Sequence, residues 1–218
     1  MKNLNVKVFV YILLVLSVVI GAILLYITET KVTGLWDAVK HIPTIVSIDL
    51  LLWFIFVKWA WRFKIFQNWL VPFPCLQGTW EGLIQTTWKD PQTGEQPKPI
   101  SVILVVEQSF ISISCVMFSK EMRSQSYAAQ FLIHPESSSK KLTYTYSSVP
   151  NACVRERSGI HDGTVLVDII EKPNKALSGE YWTARKTTGD IRLKFRCAEL
   201  LQAFPEEVQQ KTVTEVKY

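Results

Sequence analysis

The chain has 218 residues, 24 Lys and Arg against 19 Asp and Glu, and a net charge of +5. That excess sits in one place: residues 1–75 hold seven Lys/Arg and three Asp/Glu, whereas residues 76–218 hold seventeen and sixteen. A nearly neutral C-terminal region argues against non-specific binding to a nucleic-acid backbone, and the basic balance reflects membrane topology instead.

Val8 to Ile27 is a run of twenty residues without a charge. At the helical rise it spans about 30 Å, the thickness of a hydrocarbon core. A cleaved signal peptide is the competing reading, with Lys2 and Lys7 as its basic start. The apolar run is too long for that, and no small-x-small cleavage site follows it. A second stretch, Ile42 to Val57, has eleven Leu, Ile, Val or Phe residues and one acid, Asp49. Those residues outweigh the cost of roughly 3 kcal/mol for one central acid, so a second span is expected. Trp53, Trp59, Trp61 and Trp69 crowd its far end, where an aromatic belt lies in membrane helices.

Basic residues set the orientation. Lys2 and Lys7 precede the first span, and Lys58, Arg62 and Lys64 follow the second. In the connecting loop, Lys31 and Lys40 are offset by Glu29 and Asp37. This bias puts both termini in the cytoplasm. Cys75, Cys115, Cys153 and Cys197 are scattered without metal-ligand spacing, as expected of reduced, space-filling cysteines in a cytosolic domain. Asp49 has two readings: helix–helix association, extending to a pore of several copies, or a tilted span that brings the carboxylate to an interface.

Val71-Pro72-Phe73-Pro74 is a stiff joint. Strand signals then recur at short spacing over 78–88, 100–107, 110–118, 122–134, 141–147, 164–171, 176–185 and 190–199, separated by Gly, Pro, Asn or Ser clusters. With no intervening helix, the simplest closed arrangement is an eight-stranded up-and-down antiparallel β-barrel, with a sandwich as the alternative. The expected organisation is a two-helix transmembrane hairpin over 1–70, a linker over 71–75, the barrel over 76–200 and a tail over 201–218.

An eight-stranded barrel encloses side chains or one small ligand. Alternation sorts the candidates. Gly78, Trp80, Gly82, Ile84 and Thr86 share one face of the first strand. Leu142, Tyr144 and Tyr146 share one of the fifth, and Gly179, Tyr181, Thr183 and Arg185 one of the seventh. In the fourth strand, Ser124, Ser126, Ala128 and Gln130 compete with Tyr127 and Phe131 for the interior. An inward Arg185 requires an anionic partner, either a ligand or an internal carboxylate. Arg155, Arg157 and His161 fall in a loop over 148–162, where the two arginines either cover the barrel mouth or form a solvated pair balanced by Glu156, and His161-Asp162-Gly163 reads as a turn into the sixth strand. No catalytic triad, H-E-x-x-H, P-loop or dinucleotide fingerprint is present, so an enzyme is not expected. A membrane-anchored, lipocalin-like carrier of a lipid or fatty acid is the second reading; it needs a mostly aliphatic lumen.

Three motifs reach further. Leu76-Gln77-Gly78-Thr79-Trp80-Glu81-Gly82 opens the β region. Leu142-Thr143-Tyr144-Thr145-Tyr146, with His161-Asp162-Gly163 after it, lies in the middle. The run from Leu177 to Ile191 contains G-x-Y-x-T-x-R-x-T-x-G. With the two N-terminal spans, this resembles the two-transmembrane β-barrel effectors of bacterial CBASS antiphage defence, cyclic-nucleotide receptors associated with CD-NTase synthases. The resemblance implies a bacterial inner-membrane, multi-pass protein with its barrel in the cytoplasm. The barrel binds a cyclic dinucleotide, and the membrane segments then assemble as a homo-oligomer and breach the bilayer. It implies a functional link to a CD-NTase, and neither a metal, nor another cofactor, nor a nucleic-acid polymer. Tyr181, Thr183, Arg185 and Thr187 lie in the matching motif. Arg185 suits a phosphate, Tyr144, Tyr146 or Trp80 a base face, and Ser124 and Ser126, like the two threonines, phosphate or base edges.

Overall fold

The computed structural model describes residues 6–29, 35–67, 69–134, 139–205 and 208. Lys2 and Lys31 of the orientation argument, and most of the tail, lie outside them. The chain divides into two units. One comprises Met1–Pro74 with Ser109–Ile111, and the other Cys75–Gln108 with Ser112–Tyr218.

In the first unit, α1 runs Val6–Ile27, α2 Leu35–Val39 and α3 Ile42–Lys58. Residues 7–27 of α1 form a helix long and apolar enough to cross a membrane. Helix α3 has 17 residues, which places it at the lower limit of a spanning length. No residue of it is buried as a whole, and Leu50, Leu51 and Phe54 stand exposed. The two helices meet at a polar contact: the Ser17 hydroxyl donates to Asp49 Oδ2 at 2.6 Å, while Asp49 Oδ1 is buried with no partner among the described residues. Phe9, Trp53, Phe56 and Phe110 form an aromatic cluster, with Phe110 5.0 Å from Phe56 between ring centres.

The second unit is a closed barrel in which each strand pairs with its sequence neighbours and β1 pairs with β8. The strands are β1 Gly78–Thr86, β2 Ile100–Gln108, β3 Ile113–Phe118, β4 Met122–His134, β5 Ser139–Pro150, β6 His161–Ile170, β7 Ala176–Thr183 and β8 Thr188–Cys197. The eight strands and their up-and-down order match the expectation. Strand ends differ by a few residues in several places, with β1 ending at Thr86 and β5 running on to Pro150 through the start of the expected 148–162 loop, and three differences move residues singled out above. Phe110 lies outside β3, in the first unit. His161-Asp162-Gly163 is the start of β6 rather than a turn before it. Arg185 sits beyond β7, in the turn to β8.

The strands' inward residues fill one end of the barrel. Trp80, Leu104, Val106, Leu142, Val167, Leu177 and Leu193 are all buried there, with Phe195 5.3 Å from Trp80 between ring centres. This end is also sealed by polar bonds. The Trp80 indole N–H donates to Leu76 O at 2.9 Å, and Gln108 Oε1 accepts from the Leu76 N–H at 2.7 Å. Strand β2 is buried on both faces, because Leu200, Leu201, Phe204 and Val208 pack on its outward Ile103 and Val105. Its near-continuous apolar run follows from that cover.

Strand β4 breaks its own alternation. Pairing with β5 skips a register step between Ser126 and Ala128, and Tyr127 is extruded to solvent. The added residue reverses which parity faces inward. Ser124 is buried before the bulge, and Ala129 and Phe131 pack on the core after it. Neither of the two expected inner faces of β4 is therefore correct along its whole length.

Candidate functional site

The other end of the barrel opens into a cavity of about 720 Å³. Its lower wall is Ile84, Val102, Met117, Tyr144 and Val165. Tyr146, Tyr181, Ser124 and Ser148 lie above, and Thr86, Trp88, Lys120, Glu121, Arg157, His161, Thr183, Arg185 and Thr187 stand around the mouth. Tyr144 is four residues from Ser148 along β5, which at strand rise makes the cavity roughly 14 Å deep along the strand.

Local structure explains how the phenols fit. The Tyr146 ring crosses β6 at Gly163, where a Cβ would come within 2.5 Å of the Tyr146 hydroxyl. Gly189 does the same for Tyr181, whose ring edge would lie 2.7 Å from an added Cβ. The motif G-x-Y-x-T-x-R-x-T-x-G acquires a physical meaning: its alternate positions run up the inner face of β7, over the turn and into β8. That turn is closed by Thr183 N–H donating to Thr187 O at 2.9 Å and by a 2.6 Å bond between the two threonine hydroxyls. Lys186 adopts a φ of 61° there, which sets Arg185 at the rim.

Arg185 pairs with no carboxylate among the described residues. Its guanidinium donates to Ser158 Oγ at 3.1 Å and approaches His161 Nε2 at 3.3 Å. His161 Nδ1 lies 3.1 Å from Gly159 O, so Nδ1 carries the ring proton and Nε2 accepts from Arg185. Burial lowers the His161 pKa, and the Arg185 charge adds to that effect, so at neutral pH the imidazole is uncharged. Burial raises the phenols. Tyr146 is pushed up to about 12 although Arg185 acts in the opposite sense, and Tyr181 is raised against the same opposition and a bond to Thr86. Tyr144 is raised well above its ordinary value by burial, and its hydroxyl has no partner among the described residues. The walls are therefore neutral hydrogen-bonding groups, and the fixed charge is at the rim.

Seven of the candidate residues come together here: Tyr144, Tyr146, Ser124, Tyr181, Thr183, Arg185 and Thr187. Two do not reach the cavity. Trp80 lies in the filled end, its ring against Phe195 and its N–H already bonded. Ser126, next to the bulge, accepts from the Cys115 N–H at 2.8 Å. Sequence reasoning placed Thr86 on the inner face of the first strand without assigning it to the site, and missed Trp88, Ser148 and the rim role of His161. Thr86 and Ser148 extend the alternation of Ile84 and of Tyr146, so that signal was present. Trp88 continues the same alternation in the strand expected over 78–88, although β1 itself ends at Thr86. Arg155 stays off the cavity and donates to Pro150 O at 3.3 Å. Among the described residues there is no cluster of three or more metal-ligating side chains.

A closed antiparallel barrel, filled at one end and open over a polar cavity at the other, is the architecture of a small-ligand binding protein. Residues 71–195, more than half of the chain, match the family described as "Cap15, cyclic dinucleotide receptor domain", and the chain belongs to that family. It is also 28% identical over 150 residues to the CD-NTase-associated protein 15 of Staphylococcus schleiferi, a match covering 68% of this chain and 75% of that protein. These findings agree with the resemblance carried by the three motifs. The family match begins at Val71, after α1, α2 and α3 of the first unit.

Proposed function

We propose that this protein is a membrane-bound CBASS effector whose barrel binds a cyclic dinucleotide made by a CD-NTase. The observation that carries the reading is Arg185, a guanidinium without a carboxylate partner among the described residues, at the rim of a cavity with neutral phenols and hydroxyls below it. A cyclic dinucleotide has two phosphates and two flat, neutral bases. The phosphates belong at the cationic rim, where a charge-assisted, bidentate pair is available. A base belongs between Tyr146 and Tyr181, where stacking on an aromatic ring contributes about 1–3 kcal/mol. Binding, not catalysis, is what this arrangement supplies.

In this reading α1 and α3 both cross the bacterial inner membrane, leaving the barrel in the cytoplasm. Ligand drives assembly of several copies, and the assembly breaches the bilayer. The exposed apolar side chains of α3 support its insertion. The Ser17–Asp49 bond supports a hairpin in which the intramembrane acid is held within one chain. Asp49→Leu is expected to keep insertion and to weaken ligand-driven dye release from liposomes; unaltered release ends that role for Asp49.

The test of binding uses the full chain in detergent, heated with a panel of cyclic dinucleotides. A ligand at 100 times its Kd adds about 2.7 kcal/mol of stability. The lower wall, with Ile84, Val102, Met117 and Val165, also suits an acyl chain, so fatty acids form the second arm. Stabilisation by a fatty acid and by no cyclic dinucleotide overturns the proposal in favour of a lipid carrier.

A further inference from the structure

Among the described residues, three cations and one acid line the cavity: Lys120, Arg157, Arg185 and Glu121. They are not equivalent. Among the described residues, Arg185 has only neutral partners, Ser158 and His161. Arg157 is ion-paired with Glu121. That pair joins two segments of the rim, the β3–β4 turn and the long β5–β6 loop. The same two segments are also joined through the backbone: Asn151 N–H donates to Glu121 O at 2.8 Å, and Asn151 Nδ2 to Lys120 O at 3.1 Å. The loop is further fixed by Ser158 N–H donating to Val154 O at 2.9 Å, with Val154 buried. Its position therefore does not depend on the Arg157–Glu121 pair. That pair is solvent-exposed on both sides, with side-chain exposures of 66% and 49%. Exposed pairs of this kind hold weakly and exchange partners readily.

The expected ligand has two phosphodiester groups, and one guanidinium satisfies one of them. Resting on the function proposed above, we propose that Arg157 is the second phosphate ligand of the cavity, and that in the empty barrel Glu121 occupies the guanidinium that the ligand later takes. Phosphate and carboxylate present the same kind of oxygen edge to a planar fork of N–H donors, so one replaces the other without rebuilding the rim. Glu121 then acts as a built-in competitor. It holds Arg157 at the mouth in the absence of ligand, and it discriminates against weakly charged solutes that cannot displace a carboxylate.

The experiment is a double-mutant cycle on the full chain in detergent, titrated with the cyclic dinucleotide that stabilises the wild type most. Glu121→Gln removes the competitor and is expected to tighten binding about three- to tenfold. Arg157→Gln is expected to weaken it at least tenfold, and Arg157→Lys by less, since charge remains and the fork is lost. Removing an acid from a cationic mouth favours any anion, so the combined variant decides. In the Arg157→Gln background, Glu121→Gln must lose most of its gain. A gain that persists there, or a Glu121→Gln protein that binds as the wild type does or more weakly, overturns the inference. Melting of each variant without ligand checks folding. If Glu121→Gln is unfolded, Glu121→Ala replaces it under the same criterion. Failure of every wild-type titration refutes the function itself, and is thereby distinct from failure of this pairing.

Discussion

The two ends of the barrel are built from the same eight strands and the same alternation, yet one end is solid and the other hollow. At the filled end the inward positions are Trp80, Leu104, Leu142, Leu177 and Leu193, large side chains that meet across the axis. At the open end they are Thr86, Ser124, Ser148, Thr183 and Gly163, too small to meet, with Tyr146 and Tyr181 lying against wall glycines and Tyr144 below them. Stability and recognition are thereby separated along one axis. The filled end supplies buried apolar area, and the hollow end forgoes it to leave room for a ligand.

The sharpest way to break this comparison is to damage each end and ask which property fails. Trp80→Ala opens a void at the filled end and is expected to cost about 3–5 kcal/mol of stability, read by denaturant unfolding. A loss under 1 kcal/mol would show that the indole is not a keystone of that end. Arg185→Ala at the rim is expected to leave the empty barrel's melting temperature unchanged and to weaken cyclic dinucleotide binding about a hundredfold, roughly 2.7 kcal/mol. Unchanged affinity removes Arg185 from the site.

Alkali is a milder probe of the hollow end. Tyr146, Tyr144 and Tyr181 hold their protons more tightly in the folded barrel than in the unfolded chain. Their contribution is fully present below pH 10. It is lost as pH rises, for Tyr146 between 10 and about 12, because the unfolded chain releases its protons first. For Tyr146, stability is expected to fall by up to about 1.4 kcal/mol per pH unit in that window, and Tyr144 and Tyr181 act in the same direction. A melting temperature flat from pH 9 to 11 would contradict the burial of these rings. The smallest effect expected is from Tyr144→Phe. It deletes a buried hydroxyl that has no partner among the described residues, so the empty barrel should gain up to about 1 kcal/mol. A loss of similar size would reveal a bonded hydroxyl.

Much of this was legible beforehand. Strand positions follow from turn residues and period-two patterning, and closure follows from eight short strands without a helix between them. The inward sets of β1, β5 and β7 were readable for the same reason. What failed did so for identifiable reasons. The bulge at Tyr127 is a property of the β4–β5 pair, and the sequence of β4 alone does not mark where its parity reverses. Trp80 shares its strand face with Thr86, but face says nothing about depth, and depth decides between core and cavity. The packing of Leu200, Leu201, Phe204 and Val208 on β2 joins residues about a hundred positions apart in sequence, and no local pattern announces it.

Alternation, turn chemistry and apolar run length are local quantities, fixed over a few neighbouring residues. They sufficed to determine a helical unit with a membrane-length helix and an eight-stranded β unit with tyrosines and an arginine on inward positions. Which end of the barrel is empty, that Arg185 meets no carboxylate among the described residues and that Arg157 is held by Glu121 depend on side chains brought together from distant parts of the chain. Those were decided only when the sheet closed, because closure sets the distance across the lumen and the partners that meet at its rim.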